Sequence, residues 1–456
     1  MKRATLHTLG CRLNQAETAH LAGRLKTKGY RLVEFGEPTD LLVLNTCSVT
    51  QDAERDSRRA VRSTLRHSPK AFVAVTGCYA QTGVEALQGM DGIDMIVGSQ
   101  FKMTLPDLLP SPEALSKPPS PHILHSKRIA REEFVLDGTV EFEGTRATLK
   151  IQDGCDVMCS FCIIPLARGR SRSRALSDVL REGGELVAKG YKELVLSGVN
   201  IGEYESGGAG LVDLIKLLEL LPGIERIRIS SIEPTTVTAA LLDHMARSNR
   251  LCRHLHIPLQ SGSDTLLTAM NRPYTVTDFT GLIELADRLI PDVCIGTDLL
   301  VGFPGEQPEQ HEATISLVSA LPIAYFHVFP YSARPSTPAA KMAAQVRSAT
   351  ITERTGRLTE LSRAKRVAYY QRFLGHRLPV LFERPGRKGR RIGFTDNYLR
   401  VQVSGDEDLT NVVRAVEITA VQDGLALGHL VSSRPDARTP LPLLAEPNID
   451  GTICTQ

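Results

Sequence analysis

The chain has no tryptophan, and aromatic residues fill only 5% of its 456 positions. Any stacking on a flat ligand must therefore use tyrosine, phenylalanine, histidine or arginine. No apolar run reaches the roughly 20 residues a membrane-spanning helix needs, so no membrane partner is expected. The first residues, MKRATLHTLG, lack the apolar core of a secretory signal, because Gly10 and Arg12 arrive too soon. The expected location is the cytoplasm. Net charge is small as well, +3 at neutral pH, so charge becomes informative only where it gathers. Arginines cluster at 55–66, 168–174 and 384–391. The nine cysteines are an odd count in a long chain of cytosolic character, which argues against a disulfide framework and for metal or redox chemistry.

A chain this long exceeds one core, and its texture changes along the way. Residues 1–103 alternate short apolar runs (ATLHTL, LLVLNT, AFVAVTG) with amphipathic segments, which predicts an α/β domain with a parallel sheet. Residues 104–144 open with six prolines in TLPDLLPSPEALSKPPSPH and are expected to be a linker or strap. From 145 to 370 six strand-like runs alternate with helical ones, predicting a partial (β/α)6 barrel of TIM-like character. Residues 371–434 carry short alternating strands and glycine turns, hence a small all-β barrel. Residues 435–456, with four prolines and no periodicity, are expected to be a disordered tail.

The cysteines follow this plan. Cys11, Cys47 and Cys78 each come just after a predicted strand, at HTLG, VLNT and AVTG. In an open parallel sheet those strand ends share one rim, where ligands bind. Three unrelated buried cysteines are the plainer reading, and the shared register weighs against it. A second trio, Cys155, Cys159 and Cys162, has C-x3-C-x2-C spacing after the first barrel strand. A structural zinc site wants four ligands, and no further CxxC follows. Cys252 and Cys294 lie far downstream and read as core. Three soft ligands suit a four-iron cluster with one iron left open.

With Phe161 before its last cysteine, this trio resembles the signature of radical S-adenosylmethionine enzymes. The resemblance implies that S-adenosylmethionine chelates the open iron and is split to a 5′-deoxyadenosyl radical. An α/β domain with three dispersed cysteines, a radical barrel and a terminal TRAM-type barrel together resemble the methylthiotransferase family over nearly the whole chain. That implies a second [4Fe-4S] cluster on Cys11, Cys47 and Cys78, whose open iron binds the sulfur to be transferred. It further implies S-adenosylmethionine as both methyl donor and radical source, and an electron donor such as flavodoxin or ferredoxin. KIQDGCDVMCSFCIIPLARGRSRSR, GVNIGEY and FHVFPYSARPSTPAA are similar to the MtaB-type branch, which modifies threonylcarbamoyladenosine in the tRNA anticodon loop. Other branches act on isopentenyladenosine in tRNA or on an aspartate of a ribosomal protein. One departure is Asp156, where family members usually carry Asn; both cap a turn, so activity should survive.

Candidate contacts to S-adenosylmethionine are Phe161 and the polar residues at strand ends, namely Asn200, Ser231, Glu233, Gln260 and Asp298. Each alone suits a structural polar group equally well. Gly183-Gly184-Glu185 precedes the second barrel strand, which is out of place for a cofactor motif, and reads as ordinary helix. Candidate RNA contacts are Arg168, Arg170, Arg172 and Arg174 beside the cluster loop, and Arg387, Lys388, Arg390 and Arg391 in the small barrel. A solvated basic loop is the bland alternative. Phe394 and Tyr398 could stack on bases. Readings from other classes are a non-catalytic iron–sulfur RNA-binding or redox protein and a zinc-binding RNA module. Nothing in the sequence demands more than a monomer.

Overall fold

The computed structural model describes residues 1–136, 140, 144–384, 390–405 and 407–432. The tail from 435, together with Arg387 and Lys388, lies outside them.

The first layer is a six-stranded parallel sheet in the order Arg31–Leu32, Arg3–Thr8, Leu41–Thr46, Phe72–Gly77, Met95–Val97, His122–Leu124. Leu41–Thr46 and Phe72–Gly77 are buried along their whole length, as apolar runs without alternation require in a parallel sheet covered on both faces. The helices Arg12–Thr27 and Gln51–His67 return the chain between strands. The proline-rich segment, expected to be a linker or strap, lies against the first domain and also adds a strand to it. Its backbone wraps the first helix, with Lys28 Nζ donating to Pro106 O at 2.6 Å, and then adds His122–Leu124 as the sixth strand. Proline stops this segment from forming a long helix, yet three residues with free backbone groups suffice for an edge strand.

The central domain holds two three-stranded parallel sheets. One is Arg146–Lys150, Glu193–Ser197 and Arg226–Ile229; the other is His254–His256, Cys294–Val301 and Tyr325–Pro330. Bridges at Ile227–Leu251 and Ser231–His256 join them into an open half-barrel. Alternation sorts the side chains: Leu194, Leu196, Ile227, Leu255 and Ile295 pack under the helices, while Val195, Arg228, His254, His256 and Asp298 face the interior.

After the long helix Ser348–Gln371, five strands close a small barrel in the order 377–382, 391–394, 400–403, 425–430, 413–422. It is docked firmly. Arg226 donates to Phe394 O and Pro379 O, both at 2.8 Å, and Arg253 Nε reaches Asp396 Oδ2 at 2.9 Å.

Candidate active site

Two glycines build the first thiol site. Gly10 has φ +95°, and a Cβ there would lie 2.8 Å from Cys47 Sγ. Gly77 has φ +98°, and a Cβ there would strike Thr46 O at 2.4 Å. Only glycine permits both the left-handed backbone and this close approach. The result is that Cys11, Cys47 and Cys78, separated widely in sequence, lie within electrostatic reach of one another. Asn14 ties the loops together, donating to Leu9 O at 2.8 Å and to Thr46 O at 2.9 Å. Burial raises the Cys47 and Cys78 thiols, although Arg168 and Lys102 pull Cys78 the other way.

Behind this site lies a buried charge network. Arg168 bonds Glu17 and Asp153, both at 2.9 Å, and Asn14 Oδ1 at 2.5 Å. Lys102 and Lys150 each hold Glu17 at 2.6 Å, Lys150 reaches Asp153 at 2.7 Å, and Arg172 reaches Asp153 at 3.1 Å. Four cations therefore face two carboxylates in a nearly buried setting, a surplus that calls for a nearby anion. Burial would raise Glu17, yet Arg168, Lys102 and Lys150 outweigh it and hold its carboxyl well below the usual range. Beside Cys47, the buried Arg334 pairs with Glu54 but leaves Nε and Nη1 without partners. Three thiolates on an iron–sulfur cluster supply the negative charge these groups lack, so the donor set fits such a cluster.

This network corrects one expectation. Arg168 and Arg174 are 2% and 0% exposed, and Arg174 is bound to Asp178 at 2.6 Å and Glu182 at 2.5 Å. Arg172 is nearly covered too. An RNA backbone has no access to them; they stitch the cluster loop to the first domain and barrel. Arg170 is half exposed, 3.5 Å from Asp156. Asp156 itself accepts from Arg131 at 2.6 Å and from Ser171 N at 3.2 Å, so the residue that departs from the family pattern clips the loop to the next strand.

The second trio sits on a loop anchored by Ser160, whose N donates to Met270 O at 2.9 Å and whose hydroxyl donates to Ala269 O at 2.8 Å. Met158, with φ +55°, turns the chain so that the three thiols come together. Burial, with Glu203 and Glu233 nearby, pushes Cys155 up to about 12; burial and Cys159 push Cys162 up to about 12. Thiols held so high are not free nucleophiles, and they would ionise only on binding a metal. The helix Ile164–Arg168 at the end of this loop packs against Cys78–Thr82, so the two trios are neighbours.

The sequence-derived cofactor candidates line the rim above this loop. Phe161 meets Phe303 edge-on, ring centres 6.4 Å apart. Asn200 is buried with its Nδ2 unsatisfied, and Ser230, Ser261 and Glu203 each leave a buried oxygen without a partner. Buried polar groups are ordinarily paired, so these unmet donors and acceptors fit a polar ligand such as S-adenosylmethionine. Ser231 Oγ lies 3.0 Å from His256 Nδ1, and Asp298 Oδ1 lies 3.3 Å from His256 Nε2. Gln260 adopts φ +69° and contributes its backbone between Asp298 and Leu300. Glu233 is committed to Arg272, a residue the sequence reading missed, whose Nη1 also lies 3.1 Å from Cys159 Sγ. Nothing in the periodicity around Asn271-Arg272-Pro273 marks it; only the fold brings it to the cluster loop.

The terminal barrel also departs from expectation. Phe394 and Tyr398 stack on each other at 5.3 Å and face the central domain, with Arg146 over Phe394 and Arg228 over Tyr398. They lie at a domain interface and not on the barrel's outer face, with Tyr398 also lining the inner cavity. Arg390 is exposed, and Arg391 is half-buried with its Nε donating to Glu407 O.

Two family models match the chain. Residues 3–98 match the Uncharacterized protein family UPF0004, and residues 149–318 match the Radical SAM superfamily. The Bacillus subtilis threonylcarbamoyladenosine tRNA methylthiotransferase MtaB is 36% identical, covering 92% of this chain and 94% of its own length. MtaB of Aquifex aeolicus is 35% identical, over 91% of this chain and 100% of its own. A tRNA-2-methylthio-N(6)-dimethylallyladenosine synthase of Maricaulis maris is 33% identical, over 96% and 99%. Among solved structures, the radical S-adenosylmethionine methyltransferase TsrM of Kitasatospora setae shares the fold, with a TM-score of 0.54 at 16% identity over 74% of this chain and 77% of that one. With the first and central domains matched and relatives spanning nearly its whole length, the chain belongs to the radical S-adenosylmethionine methylthiotransferase family, in its MtaB-type branch.

Proposed function

We propose that this enzyme transfers a methylthio group to C2 of the adenine of N(6)-threonylcarbamoyladenosine in the tRNA anticodon loop. On this reading Cys155, Cys159 and Cys162 hold the [4Fe-4S] cluster that cleaves S-adenosylmethionine, and Cys11, Cys47 and Cys78 hold a second. The observation that carries it is the pairing of two three-thiol sets, one backed by a buried cationic surplus and the other rimmed by unmet polar groups. A trio leaves one iron open for an exogenous ligand. The clusters, when bound, supply the electron for cofactor cleavage and the seat for the transferred sulfur.

The chain's own groups do the rest. Arg272 steadies Glu233 and the Cys159 sulfur, and the packed helices fix the spacing of the two sites. The names of the relatives above favour tRNA as substrate and threonylcarbamoyladenosine as its target. Exposed arginines on Gln51–His67, such as Arg62 and Arg66, give an anionic backbone a surface to meet. An electron donor such as flavodoxin or ferredoxin is also required. The 33% relatives named for dimethylallyladenosine make isopentenyladenosine the second reading.

Two measurements test the proposal. Anaerobic reconstitution should yield about eight iron and eight sulfide per chain, against about four for a single cluster. Transfer RNA from cells lacking the gene should lose 2-methylthio-threonylcarbamoyladenosine. Loss of the isopentenyl product instead would favour the second reading, and unchanged tRNA with an unmodified ribosomal-protein aspartate would overturn both.

A further inference from the structure

The interior of the half-barrel forms an open cavity of about 290 Å³ whose wall is rich in cationic residues. Most of them are already committed. Arg228 is bound to Glu193 at 2.8 Å and to the carbonyls of Thr395 and Asp396 at 3.0 and 2.9 Å. His256 faces Asp298 at 3.3 Å. His254 lies 2.9 Å from the Tyr325 hydroxyl, and burial, with Arg228 alongside, keeps it neutral. Burial lowers His327 too, with His256 adding and Asp298 opposing. The remaining full positive charge is Arg12, which is exposed, starts the first helix and makes no salt bridge among the described residues.

Arg12 occupies a distinctive place. It lines both the inner cavity and a larger groove of about 1160 Å³ between the first domain, the half-barrel and the terminal barrel. Val195 lines both as well, so the groove opens into the cavity at Arg12. In that groove Arg146 is already neutralised by Glu383 at 2.7 Å, and Lys26 and Arg31 line the groove but not the cavity. Arg12 also follows Cys11 directly, so whatever it holds lies beside the first thiol trio.

We propose that Arg12 receives the carboxylate on the N6 substituent of the target nucleoside and so sets the enzyme's choice among modified adenosines. This rests on the reading that the substrate is threonylcarbamoyladenosine. A threonylcarbamoyl group ends in a carboxylate, which a guanidinium fork binds bidentately, whereas an isopentenyl group is a hydrocarbon. A hydrocarbon at the mouth would partly desolvate Arg12 and offer it no counter-charge, so discrimination comes from both attraction and rejection. Arg12 is a specificity residue on this account; it touches no group whose bonds change.

The test compares anticodon stem-loops bearing threonylcarbamoyladenosine, its carboxamide analogue, isopentenyladenosine or adenosine. Binding to reconstituted holoenzyme is read by fluorescence anisotropy, and product by mass spectrometry. Wild-type enzyme should bind the carboxylate form about tenfold or more tighter than the carboxamide. Arg12→Gln should lose that preference, and Arg12→Lys should restore part of it. The variant and the carboxamide should not be additive, because they delete the same contact. The carboxamide arm uses unaltered protein, so misfolding of a variant cannot produce it. Equal binding of carboxylate and carboxamide by wild-type enzyme, or an unchanged preference in Arg12→Gln, overturns the role of Arg12 while leaving the substrate reading intact. Modification of isopentenyladenosine with no modification of threonylcarbamoyladenosine overturns the substrate reading and this inference with it.

Discussion

At the scale of single residues, the proposed function gives the two cysteine trios separate tasks. Removing Cys11 should leave about four iron per chain and preserve S-adenosylmethionine cleavage while abolishing methylthio transfer. Removing Cys159 should also leave about four, but should abolish release of 5′-deoxyadenosine. Iron and sulfide analysis with chromatography of the nucleoside separates the two. Arg272 is predicted to matter for stability as well as for the site. Arg272→Met strands the nearly buried Glu233, and breaking such a pair costs about 3–5 kcal/mol, readable as a lowered urea midpoint. An Arg272→Met protein of wild-type stability would show that Glu233 finds another partner.

At the scale of elements, the joint between the first helix, the cluster loop and the first barrel strand is held by charge. Glu17 lies on the helix Arg12–Thr27, Lys150 on the strand Arg146–Lys150 and Arg168 on the helix Ile164–Arg168. Glu17→Gln leaves Lys102 without a carboxylate and Lys150, Arg168 and Arg172 sharing Asp153 alone, and should destabilise the protein by about 3–5 kcal/mol. The same joint sets acid sensitivity. Burial would raise both carboxyls, but the surrounding cations hold Glu17 and Asp153 below their ordinary values. The unfolded chain therefore takes up protons first as pH falls. Their stabilisation is complete above the ordinary carboxylate range of about 4 and is lost as pH drops below it toward the folded values. Thermal melts of the apoprotein between neutral pH and about pH 3 should show this loss, and it should be reduced in Glu17→Gln.

Much of this architecture is legible in the chain. The runs LLVLNT and AFVAVTG are apolar throughout, so a buried parallel sheet follows, and a cysteine after each strand places the thiols on one rim. What local pattern cannot show is tertiary partnership. Arg168, Arg172 and Arg174 look like a basic loop because their partners, Glu17 and Asp153, Asp178 and Glu182, come from other elements or other turns. Tyr398 looks like a base platform until Arg228 and His254 are found against it. His122–Leu124 is too short, and too crowded by proline, to announce itself as a strand.

At the scale of the whole molecule, three domains share one working space. The terminal barrel contributes Tyr398 to the cavity wall, the first domain contributes Arg12, and the half-barrel supplies the rest. Apolar packing of Tyr325, Tyr369, Phe373 and Val401 runs across the joint between half-barrel and terminal barrel, and Arg226, Arg228 and Arg253 cross it with hydrogen bonds. These two domains should accordingly melt in one calorimetric transition; two separated transitions would show that they are only tethered. The central claim is that two open clusters serve one target carbon. Its most direct test is anaerobic incubation of the reconstituted, reduced enzyme with S-adenosylmethionine and a stem-loop carrying threonylcarbamoyladenosine, followed by mass spectrometry of the digested nucleosides. The account predicts 2-methylthio-threonylcarbamoyladenosine, lost when any one of Cys11, Cys47 or Cys78 is replaced by alanine. S-adenosylmethionine cleavage with the nucleoside left unchanged, or product formation undiminished by those replacements, would contradict it.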